Sequence, residues 1–176
     1  FVTSGPGIVN LSANNTYTGG TVVDPGKLTL IGTPLAIPAR GLLLGGATVL
    51  MNTNSGQIDP STTVTLRRSS TLTLVGNNVL NALAFDNNGG TTNPVVTIGA
   101  GNTLTLTDSA RVTVLNSNAL TVPTISLGTL ALGSGTKTFD IQGPTAAGQL
   151  YSIITPSLNI TSVISGAGAV LNKTGN

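Results

Sequence analysis

Short segments that alternate apolar and polar residues, each closed off by Gly, Asn or Pro, recur along the whole of this 176-residue chain. They include Lys27-Leu28-Thr29-Leu30, Thr63-Val64-Thr65-Leu66, Thr71-Leu72-Thr73-Leu74, Val95-Val96-Thr97-Ile98, Thr103-Leu104-Thr105-Leu106 and Thr129-Leu130-Ala131-Leu132. A period of two puts Leu, Val and Ile on one face of a strand and Thr, Ser and Asn on the other. No stretch shows helical periodicity with caps. A chain built this way buries its apolar faces as a sandwich, a closed barrel or a β-solenoid. Very short strands and inward aliphatic side chains of similar size favour the solenoid, where like stacks on like from coil to coil. The expected fold is therefore all-β, a parallel β-helix with coils of roughly 20–25 residues advancing about 4.8 Å each. That makes about seven to eight coils, uncapped at both ends.

Composition narrows the function. Charged residues make up 7% and aromatics 3%, and Glu, His, Cys and Trp are absent. A soluble globular domain carries about 25% charged residues. Thr and Val are strand formers, while Gly and Asn form turns. The net charge of +2 reflects few acids rather than a basic patch, since Arg67-Arg68 is the one adjacent cationic pair. Nucleic acid is accordingly not an expected partner. The absence of Cys excludes a disulfide scaffold. The most apolar run, Leu42 to Met51, is too short for a membrane span and is broken by Gly45-Gly46.

The tail also repeats the head. Setting Thr174-Gly175 on Ser4-Gly5 aligns the end of the chain with its opening at an offset of 170 residues. The end-to-end junction would involve Val2, Gly5 and Pro6 at the head and Leu171, Lys173 and Gly175 at the tail. The segment then reads as a single solenoid domain, residues 1–176, forming one period of a longer tandem array.

The head carries Gly7-Ile8-Val9-Asn10-Leu11-Ser12-Ala13-Asn14-Asn15-Thr16-Tyr17-Thr18-Gly19-Gly20, then Asp24-Pro25-Gly26 and Lys27-Leu28-Thr29-Leu30. This resembles the autotransporter-associated β-strand repeat of large secreted bacterial proteins, with residues 7–30 as the motif and residues 164–176 as the approach to the next one. The resemblance implies a right-handed parallel β-helix, extracellular or on the bacterial cell surface. Nothing here resembles the membrane barrel that ends an autotransporter, so the resemblance does not fix a secretion route. Within the motif, Gly19, Gly20 and Gly26 are expected to take positive φ at coil corners, and Pro25 to set the Asp24-Pro25-Gly26 turn. Tyr17 either caps an apolar layer or faces out. Asn14 and Asn15 either make turns or stack as amide ladders.

Catalytic residues are not expected. Without His, no His-based triad or relay can form, and zinc lacks its usual ligands. A glycosidase needs two carboxylates at a defined separation. The candidates nearest in sequence are Asp86 and Asp108, one plausible coil apart. The bland reading for both is a turn aspartate beside a cation. No cofactor is expected. Thr-X-Thr segments occur at irregular intervals, unlike the flat regular array that ice binding requires.

The sequence thus predicts a non-enzymatic structural repeat of an extracellular fibre, stalk or adhesin shaft. Its partners would be copies of itself or adjacent repeats head to tail, and cell-surface polysaccharide. The alternative is a carbohydrate-binding or carbohydrate-cleaving β-helix, for which Phe1, Tyr17, Phe85, Phe139 and Tyr151 are all the aromatics on offer. A third reading makes the segment a spacer that holds another domain away from the membrane.

Overall fold

The computed structural model describes residues 1–32, 35–52, 55–146, 149–150 and 156–176. Among them lie nineteen strands and no helix. The first eight are β1 (Val2–Thr3), β2 (Ile8–Leu11), β3 (Thr21–Val23), β4 (Gly26–Leu30), β5 (Gly41–Gly45), β6 (Ala47–Met51), β7 (Thr63–Arg67) and β8 (Thr71–Leu74). Next come β9 (Asn78–Asn87), β10 (Val95–Ile98), β11 (Thr103–Asn116), β12 (Thr124–Ser126), β13 (Thr129–Ala131) and β14 (Gly135–Ile141). The last are β15 (Thr145–Ala146), β16 (Gln149–Leu150), β17 (Asn159–Ile160), β18 (Val163–Ser165) and β19 (Ala169–Thr174).

The chain is a parallel β-helix whose coils visit three walls in turn. The first wall stacks β1, β3, β5, β7, the second half of β9, the second half of β11, β14 and β19. The second wall stacks β2, β4, β6, β8, β10, β12 and β17. The third begins as an isolated Ile37–Ile58 bridge and becomes the first halves of β9 and β11, then β13 and β18. The long strands β9 and β11 bend across a corner and so belong to two walls. From β1 to β19 the first wall advances seven steps, in line with the coil number expected from roughly 20–25 residues per coil. The antiparallel pair β15–β16 is not signalled by that pattern.

Alternation along each strand becomes columns along the axis. On the second wall Val9, Leu28, Val49, Leu72, Val96, Ile125 and Ile160 lie side by side. On the first wall Val23, Leu44, Leu66, Phe85, Val114 and Ile141 do the same. All six of these, and the five central members of the second-wall column, are buried. Each fully buried aliphatic contributes about 1.5–3 kcal/mol. The opposite parity carries hydroxyls, such as Thr71 and Thr48, whose Oγ1 atoms are 3.2 Å apart.

Coil length is not constant. On the second wall Ile8 lies beside Lys27, a step of 19 residues, whereas Thr124 lies beside Asn159, a step of 35. The surplus collects mainly at the corner between the first and second walls. There Gly46 alone separates β5 from β6, but residues 88–94, 117–123 and 142–158 separate the later pairs. Asn88-Gly89 sits in the first of these loops, between parallel strands, and makes no hairpin.

Candidate functional site

The motif residues fasten the first coil to the second. The Asn15 amide nitrogen donates to the carbonyls of Ala13 (3.1 Å) and Ala36 (2.9 Å), while its backbone N–H reaches the Leu35 carbonyl at 3.1 Å. Asn15 therefore both makes a turn and links two coils. The Tyr17 hydroxyl lies 2.6 Å from Thr21 Oγ1, and its ring is tilted 33° to that of Phe1 at a centroid distance of 6.2 Å. Pro25 precedes Gly26, which has φ +141° and lies so close to the first coil that a Cβ would sit 2.6 Å from the Gly5 carbonyl oxygen. Gly19 and Gly20 depart from expectation, because neither has positive φ. At Gly20 the constraint is space instead, with a Cβ 3.3 Å from the Gly41 oxygen.

The head and tail segments occupy equivalent places. β1 and β19 are the two end strands of the first wall. Each is followed by a left-handed glycine, Gly5 at φ +96° and Gly175 at φ +90°. Following partners from strand to strand carries Val2 through Val22, Leu43, Thr65, Ala84, Thr113 and Asp140 to Thr174. This axial column lies two residues from the sequence alignment of Thr174 with Ser4, an even shift that preserves which side chains face inward. At the tail, a cavity of about 330 Å3 opens among Phe139, Ile141, Leu158, Ile160 and Leu171, with Lys173 and Asn176 at its rim.

The two carboxylates weighed for hydrolysis are not brought together. Asp86 is the last residue of β9 to pair with β7, and Arg67 Nε meets its Oδ2 at 2.7 Å. Asp108 lies at the opposite end of that wall, in the register irregularity of β11 between Leu106 and Arg111. Its Oδ1 accepts the Ser134 hydroxyl at 2.9 Å and lies 3.9 Å from Lys137 Nζ. No group of three or more Asp, Glu, His or Cys side chains among the described residues could hold a metal ion. Among the described residues, no helix is long and apolar enough to cross a membrane.

Two polar features escaped the sequence reading. Lys137 is fully buried, with Nζ bonded to the carbonyl oxygens of Ser134 and Asp108. It shares parity with Phe139 and Ile141, and that parity was the available signal. Asn87 is also fully buried. Its amide donates to Asn116 Oδ1 (2.8 Å) and the Thr121 carbonyl (2.9 Å), and its Oδ1 accepts the Thr121 hydroxyl at 2.9 Å. This network closes the long loop after β11 onto the coil below.

At the opposite end of the molecule, Thr16, Tyr17 and Thr18 of the first coil face Pro38, Ala39 and Arg40 of the second and Ser61 of the third. Together they line an open cavity of about 460 Å3. Ser61 donates from its N–H (2.9 Å) and hydroxyl (2.6 Å) to Asp59 Oδ1. Tyr151, the aromatic farthest along the chain, lies outside the described residues. Set against known proteins, the chain matches no protein-family model, no curated protein and no solved structure.

Proposed function

We propose that this chain is a structural segment of a longer β-solenoid, continued coil on coil in a tandem array that serves as a fibre, stalk or adhesin shaft. The observation that carries the reading is the equivalence of β1 and β19: same wall, seven steps apart, each closed by a left-handed glycine. By strand register, residues 173–176 stand where residues 1–4 stand seven steps earlier, two residues from the sequence alignment. The end layers support the same reading. Val2 (74% exposed) and Ile8 (62%) at one end, and Val163 (65%) and Val170 (57%) at the other, leave apolar surface at strands that pair on one side only. An open sheet edge of this kind pairs readily with another strand, and solenoids extend by nearest-neighbour stacking.

The phase of the walls is the one a continuous stack of coils needs. A second copy placed on β19 through its own β1 leaves the second wall one strand short beside β17. A strand like β2 placed directly after Asn176 falls on β17 without a gap. The resemblance of residues 7–30 to the autotransporter-associated repeat supports an extracellular or cell-surface setting. Electron microscopy of the native material tests the function. An axial repeat of about 34 Å, seven strand spacings, is the expected result, and compact particles with closed ends would overturn it.

A further inference from the structure

We infer that the cavity between the first three coils, at Tyr17, Arg40 and Ser61, is a binding site for a carboxylated saccharide of the uronic-acid type. The inference does not depend on whether the solenoid continues. Three cations, Lys27, Arg40 and Arg111, have no hydrogen-bonding or ion-pair partner for their side-chain nitrogens among the described residues. Of these, Arg40 lines the cavity at Tyr17 and Ser61. An unpaired guanidinium presents a planar fork of donors that matches a carboxylate in two parallel hydrogen bonds.

The remaining walls suit a sugar ring. Tyr17 contributes an aromatic surface, and its position is fixed from two sides, by the Phe1 ring and by the hydroxyl contact with Thr21. A ring held before binding costs little ordering entropy on binding. Thr16, Thr18 and Ser61 bring hydroxyls to the same cavity, the mix of apolar surface and a few polar groups that small-ligand sites use. At about 460 Å3 the space is in the range of such sites. Asp59 holds Ser61 through its Oδ1 but is not among the lining residues, and Arg40 is the charged side chain of the lining.

The test is a calorimetric and NMR titration of the full chain with trigalacturonate, with maltotriose as the neutral comparison. Trigalacturonate should bind, shifting the amide signals of Thr16, Thr18, Arg40 and Ser61, and maltotriose should bind at least tenfold more weakly. Arg40→Gln should lower the affinity at least tenfold without moving the melting temperature, because the side chain is exposed. Lys27→Gln, on the second wall, should leave the affinity within twofold. Tyr17→Phe should retain binding and Tyr17→Leu should lose it. No binding of trigalacturonate at millimolar concentration, equal affinity for the neutral trisaccharide, or unchanged affinity in Arg40→Gln would each overturn the assignment. Tighter binding of a sulfated trisaccharide would overturn the carboxylate preference.

Discussion

The first coils and the last coils share one interior and differ in their corners. Between β2 and β8 the second wall steps by 19, 21 and 23 residues, from Ile8 to Lys27, Gly26 to Ala47 and Thr48 to Thr71. From β10 to β17 it steps by 29 and 35, from Val95 to Thr124 and from Thr124 to Asn159. The aliphatic columns pass through both regions in register. Strand spacing and inward packing therefore fix the stack, and extra residues are expelled sideways, chiefly at one corner. The early corners are held by glycine and by short side-chain links such as Asn15. The later ones need a buried amide network, because a long loop returning to the stack brings polar backbone with it.

That contrast is open to direct tests. The largest effect should come from the shared interior. Phe85→Ala in the long-coil region is expected to cost about 3–5 kcal/mol, and Leu72→Ala in the short-coil region about 2–5 kcal/mol, both by chemical denaturation. A cost below about 1 kcal/mol at either site would mean that the columns are not continuous across the molecule. Next is the network peculiar to the long coils. Asn87→Ala should cost about 1–3 kcal/mol, since it strands the Asn116, Thr121 and backbone partners in a buried site. Hydrogen exchange should quicken at residues 117–123 and stay unchanged at β3 to β6. The more exposed Asn15→Ala should cost about 1 kcal/mol and act only between the first two coils.

Loop tolerance sharpens the comparison further. Two residues inserted between Gly89 and Gly90 should change stability by well under 1 kcal/mol, because closure entropy grows slowly with loop length. The same insertion beside Gly46, the single residue joining β5 to β6, should cost more than twice as much. Equal costs would show that the two kinds of corner are mechanically alike. The smallest effect is local. Leu127 is 56% exposed and holds φ +59°, a conformation that costs a non-glycine residue about 1–2 kcal/mol. Leu127→Gly should therefore raise the melting midpoint slightly, by up to about 1 kcal/mol of stability.

Much of the fold is legible in the residues. Thr71 to Leu74 and Val95 to Ile98 alternate so cleanly that their faces follow from the pleat alone, and the scarcity of charge is what a stack with Thr and Asn outside requires. The candidate binding site was only half legible. Tyr17 stands out as an aromatic in a chain with few, but Arg40 and Ser61 lie in different coils, and no local pattern ties them to it. Gly20 matters for its closeness to Gly41 and not for its torsion. Asp86 and Asp108 suggested a pair by their spacing, yet the bend of β11 sends them to opposite ends of the wall.

Sequence alone determined which face of most strands turns inward and pointed to a solenoid, because these depend on a period of two and on side-chain size, while the approximate number of coils followed from chain length. Only the tertiary structure decided which residues are neighbours across coils. A step of 19 residues and a step of 35 leave the same local pattern, since the corner absorbs the difference and the pleat does not register it. Hence the Asn87 network and the meeting of Tyr17 with Arg40 emerge only when the coils are stacked.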